Sequence, residues 1–504
     1  MIAEQAPDGV RQRSAQAQGQ AAPVHRGGSP VSDALLERMQ YQADPPADDT
    51  VARIVGDWRV LGADAGAHDL RAAHEAQWLR LAQATSLLEQ LGDNGSLEDW
   101  SPHPQPGIDD VIVRAVEDYV RANQALPAWA RPDQLRRAET LFMDYGPLSC
   151  ILLFCASLPE CYVLPDLSAV LHMAGQLEQR TEYRIRSTAA MIFPVMMKGG
   201  MGEARGNGRA QVLKVRLIHA TIRNLILRGR PSDVVGALGD AQNRVGAGVV
   251  PPHPALAGGI TMYEAMFAAG WKLGEDGLPC NQEELAYTLL TFSYVFLRGM
   301  RHLGLGLPPA DEEAFLHCWN VTASVMGVRE DLMAHTMVDA AALFERMQSR
   351  GRADVRTPDP RPGLGHALMQ AMEDSIPVPW LKPFAVLMTR HLCGTRTAAL
   401  IGVQDRAPWR SRVLFKLVMG LVRGVDALLR LVWPRFSIAR LVTRVLGYHL
   451  MVRLLLDQTR PLKLPQGLLN HVNTMLDAWG HDHDAPMWMN RLEDRWTTPG
   501  AWRG

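Results

Sequence analysis

Val212-Leu-Lys-Val-Arg-Leu-Ile-His-Ala-Thr-Ile-Arg-Asn-Leu-Ile226 decides the fold class, because its apolar residues return at three- and four-residue steps along its whole length. That period belongs to a helix; a strand would alternate. Arg216, His219 and Arg223 fall at i, i+3 and i+7, on a face that also carries Val212, Val215, Ile222 and Ile226. Two guanidinium groups in an apolar stripe are costly to bury unless something anionic meets them, and this helix contains no carboxylate. Their partner must come from outside. Two readings stay open: His219 is a satisfied structural histidine with exposed or paired arginines, or the stripe receives haem b. In the second, the macrocycle covers the Val/Ile positions, a neutral imidazole meets the iron and the propionates meet arginine.

The same period recurs at 69–91, 108–124, 132–146, 166–198, 281–302, 310–326 and 330–348, and strand alternation runs nowhere over a useful length. Helix starts agree with it. Asp166 follows Pro165, Asn281 precedes Gln-Glu-Glu, and Pro308-Pro309 leads into Ala-Asp-Glu-Glu, with acids where the helix dipole favours them. The chain is expected to be mainly α. Residues 1–50 are poor in aromatic and branched apolar side chains and read as a disordered arm. A helical core follows over 51–350. Gly/Pro-rich breaks at 246–259 and 350–365 interrupt the chain, and a basic helical region over 365–504 is expected to pack on the core or on a membrane surface.

Of the 504 residues, 52 are Lys or Arg and 53 Asp or Glu, a net charge of -1 that offers nucleic acid no global attraction. Six cysteines without a CxxC pair argue against a disulfide scaffold or a cysteine-rich zinc site. The first thirty residues lack the basic start and apolar stretch of a secretory leader, and the longest uncharged apolar run, Gly146–Pro159, is too short to cross a bilayer. A cytoplasmic protein is expected. Residues 410–460 hold ten Lys/Arg against Asp426 and Asp457, a net of 10 − 2 = +8. Arg412, Lys416, Arg423 and Arg430 align as one basic stripe, either a solvated ridge or a peripheral contact with an anionic membrane face.

Arg184 and Thr188, four apart, share a helix face that continues into Met191 and Val195 before Pro194 interrupts the ladder. HExxH, GxSxG, P-loop and GxGxxG signatures are absent from the sequence. His172, His302, His317 and His335 lie in helical patterns and read as core or surface residues, and His481-Asp-His-Asp484 as a solvated tail segment.

Four stretches together resemble the catalytic domain shared by the rubber oxygenases (latex-clearing proteins) and the MpaB-type oxygenases: Arg184-x-x-x-Thr188, the run from Lys214 to Arg223, Pro279-Cys-Asn-Gln-Glu-Glu-Leu-Ala-Tyr-Thr-Leu-Leu-Thr-Phe-Ser293, and His317-Cys-Trp-Asn-Val321. The resemblance covers roughly residues 145–350. It implies an all-α, globin-reminiscent body around a haem pocket, with extra N- and C-terminal helices, non-covalent haem b, and dioxygen as co-substrate. By position, His219 would be the proximal iron ligand, Arg216 and Arg223 its cofactor-binding neighbours, and Arg184 and Thr188 the distal, oxygen-facing pair. Ser187 stands where some relatives carry a lysine able to ligate iron, so an open or water-bound distal side is expected. The family's distal glutamate has no secure counterpart; Glu160, Glu178 and Glu182 compete and each reads as a surface carboxylate. The implied activity is oxidative C=C cleavage of a small apolar alkene or isoprenoid-type substrate. The alternatives are a non-catalytic membrane-surface binding protein on the same scaffold, and a haem carrier or sensor.

Overall fold

The computed structural model describes residues 31–59, 66–173, 181–240, 248–253, 261–376, 379–404, 407–430 and 486–497, with a few single residues between 438 and 445. The chain begins with α1 (Asp33–Met39), α2 (Pro45–Val55), α3 (Ala67–Glu89), α4 (Asp110–Asn123) and α5 (Pro132–Asp144). The apolar run after α5 divides into α6 (Gly146–Leu152), a π-helical turn at Leu153–Ser157, and α7 (Leu158–Cys161). Then come α8 (Pro165–Met173), α9 (Thr181–Met196), α10 (Gly208–Leu227), α11 (Pro231–Asp240), α12 (Met262–Ala268) and α13 (Leu273–Asp276). The remainder holds α14 (Gln282–Phe292), α15 (Tyr294–His302), α16 (Pro309–Val325), α17 (Met337–Ala353), α18 (Arg361–Ser375), α19 (Phe384–Leu400), α20 (Trp409–Arg430) and a helix over Met487–Thr497. Among the described residues the only sheet is a two-residue antiparallel pair, Val249–Val250 with Trp271–Lys272. The fold is all-α.

Local chemistry sets the boundaries. α14 starts where the Asn281 side chain accepts the Glu284 N–H at 3.0 Å. The helix expected over 281–302 is broken at Ser293 (φ -99, ψ -75) into α14 and α15. α9 carries Pro194 in its last turn, where the missing N–H removes one helical hydrogen bond, and it ends two residues later at Met196.

Residues 33–50 overturn the expected disordered arm. They form α1 and the first half of α2, and Leu36, Met39 and Ala47 of this segment are buried, as are Val51, Ile54 and Val55 in the rest of α2. The composition of the whole stretch, dominated by residues 1–30, masked a short apolar face; residues 1–30 themselves lie outside the described residues. α2 packs against α10, α3 and α4, so it belongs to the core.

The break at 350–365 is narrower than its Gly/Pro content suggests. α17 reaches Ala353 and α18 begins at Arg361, whose buried guanidinium donates to Val163 O at 3.3 Å and Gly351 O at 3.2 Å. α18 packs on α8 and α9, and α19 on α7 and α15.

Of the basic stripe expected on α20, Lys416 and Arg423 are exposed and Arg412 half-buried. Arg412 turns back to Ala407 O at 2.9 Å, and Arg423 donates to His302 O. The Arg430 side chain lies outside the described residues. α20 also turns an apolar row outward: Leu417, Leu421 and Leu428 are 65%, 68% and 67% exposed, with Val413 and Leu414 also exposed and Trp409 at the start.

Candidate functional site

α10 carries two different faces, and the structure separates residues that the sequence grouped together. Arg216 and Arg223 point toward α2. Arg216 Nε donates to Asp44 Oδ2 at 2.5 Å and its Nη2 to Asp44 Oδ1 at 2.7 Å, a bidentate pair, while Nη1 reaches Val325 O at 3.0 Å. Arg223 Nε donates to Asp48 Oδ1 at 2.7 Å and Nη1 to Cys280 O at 2.9 Å. The anionic partners required by the stripe are therefore Asp44 and Asp48, supplied by the segment expected to be disordered. The assignment of Arg216 and Arg223 to cofactor carboxylates is corrected accordingly. Gly327 (φ +85) lies against the Arg216 pair: a Cβ there would sit 2.7 Å from Asp44 Oδ2 and 2.8 Å from Arg216 Nε.

The Asn281-Gln-Glu-Glu284 run supports this joint. Gln282 Nε2 donates to Ala43 O and Gly327 O, both at 2.9 Å, and its Oε1 accepts the Arg329 N–H at 3.0 Å. Glu283 accepts from Arg350 at 3.1 Å. A motif that looks catalytic in sequence is thus largely a hub that pins α2, α14 and the Gly327 turn together.

The other face of α10 borders a cavity of about 520 Å³, within the ~300–1,000 Å³ usual for ligand and cofactor sites. α2, α3, α8, α9, α10 and α14 wall it, mostly with apolar side chains such as Ile54, Leu88, Val170, Met191, Ile222 and Leu289. His219 lines this cavity, and so do Ser187 and Thr188 from α9. The structure therefore brings His219 and Thr188 to one space, as the resemblance implies. Arg184 lies one turn before Thr188 on α9; its side chain is outside the described residues.

His219 is half-buried, and its Nδ1 is buried without a hydrogen-bond partner among the described residues. Burial, with the Arg223 cation adding to it, pushes the imidazole down to about 4, so the ring is neutral near pH 7. A neutral imidazole is the form that ligates a metal. Among the described residues no group of three or more His, Cys, Asp or Glu gathers to hold a bare ion. A haem iron, by contrast, can be held by a single side chain such as histidine.

Glu284 was missed by sequence reading. It lines the cavity and is buried; Oε1 accepts from Asn281 at 3.1 Å, while Oε2 is buried without a partner among the described residues. Burial first, then the negative charge of nearby Asp166, raises its carboxyl well above the usual range. Its position in a helix-start signal concealed it, since one turn of acids at an N-terminus has an ordinary explanation.

Other candidates fall away. Glu160, expected at the surface, is fully buried, and it is not among the residues lining the cavity. Its carboxylate accepts from Arg298 at 2.6 Å, Gln348 at 2.5 Å and Thr397 at 3.0 Å. The Glu178 and Glu182 side chains lie outside the described residues, as do the His172 side chain and residues 481–484. His317 Nε2 accepts the Arg131 N–H at 2.9 Å, and Asn320 donates to Ala334 O at 2.8 Å; both are structural contacts.

The family described as "ER-bound oxygenase mpaB/B'/Rubber oxygenase, catalytic domain" matches residues 262–424. The match covers about a third of the chain. The matched span holds the Asn281-Gln-Glu-Glu and His317-Cys-Trp-Asn stretches and begins downstream of α10. The rubber oxygenase of Streptomyces sp. (strain K30) is 22% identical over 253 residues, which make up 49% of this chain. The match spans about half, 51%, of that relative's length. A structure of latex clearing protein LCP in the closed state shares the fold, with a TM-score of 0.54 at 16% identity, over 88% of this chain and 90% of that one.

Proposed function

We propose that this protein is an oxygenase of the MpaB/rubber oxygenase type that depends on haem b and uses dioxygen to cleave a C=C bond of an apolar, isoprenoid-type substrate met at an anionic lipid surface. The single observation that carries the haem reading is His219: a neutral imidazole with an unpaired buried nitrogen, on the wall of an apolar cavity that also holds Thr188. These residues fit the group. Haem b, when bound, would supply the redox chemistry of oxygen activation.

The remaining tasks fall to the chain's own residues. His219 would hold the haem iron. The Leu, Val, Ile and Met side chains of the lining exclude water and give an alkene an apolar seat. The Thr188 hydroxyl, on the opposite wall element, donates a hydrogen bond to oxygen-bearing groups in the cavity, with Arg184 one turn away as its cationic neighbour. Glu284, whose carboxyl is raised well above its usual range by burial, is the group in the cavity wall suited to hold and give up a proton.

Support for the lipid surface comes from α20. Monomeric proteins rarely leave a long row of Leu and Val in water. On the same helix lie exposed Trp409, a residue type favoured at membrane interfaces, and exposed Arg410 and Lys416 that suit anionic headgroups. Among the described residues no single helix is long and apolar enough to cross a membrane. The test of the activity is oxygen uptake by the haem-loaded protein with and without an isoprenoid alkene. Uptake matched by carbonyl products supports cleavage; haem binding with no alkene-dependent uptake contradicts it and leaves a carrier or sensor.

A further inference from the structure

Removing Arg216 and Arg223 from the cavity leaves a question of charge. Any occupant bearing carboxylates needs a cation, and both arginines are committed to Asp44 and Asp48 on the far face of α10. Lys214 is the one Lys or Arg side chain that lines the cavity among the described residues. Its Nζ donates to Leu91 O at 2.9 Å, which engages one of three ammonium protons and leaves two.

The cavity is polarised from end to end. Its deep wall is made of buried Cys280, Glu284, Leu285 and Phe292. At the other end Thr85, Glu89, Ser187 and Ile218 are exposed, and half-buried Gln211 and Lys214 stand beside them. The opening therefore lies between α3 and α10, and Lys214 stands in it. Burial pushes the Lys214 ammonium down to about 8, despite the opposing charge of Glu89, so this cation is desolvated without full compensation. An anion bound at the mouth would supply what it lacks.

We propose that Lys214 is the cationic anchor for the carboxylates of the cavity's occupant, so that a haem enters apolar edge first and leaves its propionates at the α3–α10 mouth. This rests on the haem reading above and adds a direction of entry and a residue. No covalent step is involved.

The full-length protein, purified without haem, is titrated with haemin and with haemin dimethyl ester, whose carboxylates are masked, and the Soret absorbance is followed for wild type, Lys214→Met and Lys214→Arg. Lys214→Met should weaken haemin binding by about tenfold or more, the worth of one charge-assisted hydrogen bond. Lys214→Arg should bind haemin within a few-fold of wild type, and the diester should bind wild type and Lys214→Met alike. Equal haemin affinity in wild type and Lys214→Met overturns the anchor. An equal loss of haemin and diester in Lys214→Met also overturns it, because the lysine would then be supporting the wall. If wild type binds neither compound, the haem reading itself fails and the anchor with it.

Discussion

Arg223 Nε and Asp48 Oδ1 lie 2.7 Å apart with the arginine fully buried, and this bond fastens α10, which carries His219, to α2. Arg216 and Asp44 repeat the arrangement two turns earlier on α10. The helix that presents the proposed iron ligand is thus held from behind by two buried ion pairs.

Breaking one of them leaves an uncompensated buried charge, which costs about 3–5 kcal/mol. Asp48→Ala and Arg223→Ala should each destabilise the fold by that order in denaturant titration, and the double variant by clearly less than the sum. Additive losses would show that the two side chains do not act as a pair.

Thr188 and Glu284 face the cavity without being proposed ligands. Thr188→Val should leave haem stoichiometry intact and slow alkene turnover by about tenfold, the worth of one hydrogen bond. Glu284→Gln should slow it by roughly 10² or more if its proton is used. Loss of haem in either variant would make that residue structural.

The helices were legible because their apolar period is local, and α10 and α16 were located within a few residues of their observed ends. The pairing of His219 with Thr188 followed from family resemblance, and the cavity agrees with it. Asp44 and Asp48 were illegible for a physical reason: an ion pair across 172 or 175 residues leaves no local pattern, and their helix sits beside a polar N-terminal stretch that dominates its composition. Helical spacing aligns Arg412 and Arg423 on α20 without revealing that each also donates to a carbonyl group of the chain.

Glu139 gives a pH dependence. It is buried, accepts the Gly199 N–H at 2.9 Å, and is pushed up to about 7 by burial, with Glu203 nearby adding to the shift. Because the folded value lies above the unfolded one near 4.5, its stabilising contribution is fully present below 4.5 and is lost as pH rises through 7. Glu139→Gln should therefore raise stability at pH 8 by on the order of 2 kcal/mol and change it little at pH 4.5. Melting curves at the two pH values check this; equal effects at both would contradict it.

The outward face of α20 should bind vesicles of phosphatidylserine and phosphatidylcholine in co-sedimentation. Each exposed Leu that enters the lipid boundary contributes about 1.5–3 kcal/mol at full burial, so Leu417, Leu421 and Leu428 outweigh the basic residues, worth ~1 kcal/mol each. Replacing these three with Gln should abolish binding, whereas Arg412→Gln with Arg423→Gln should weaken it less. Wild type remaining in the supernatant, or the reverse ranking, would contradict the surface assignment.

The most direct measurement is the absorption spectrum of the protein expressed with haem precursor, compared in wild type and His219→Ala in ferric, ferrous and carbon monoxide forms. The account predicts near-stoichiometric haem with a histidine-ligated spectrum in wild type, loss of that haem in His219→Ala, and retention in His302→Ala and His317→Ala. A His219→Ala protein with full haem and an unchanged spectrum, or a wild type with no Soret band, would contradict it.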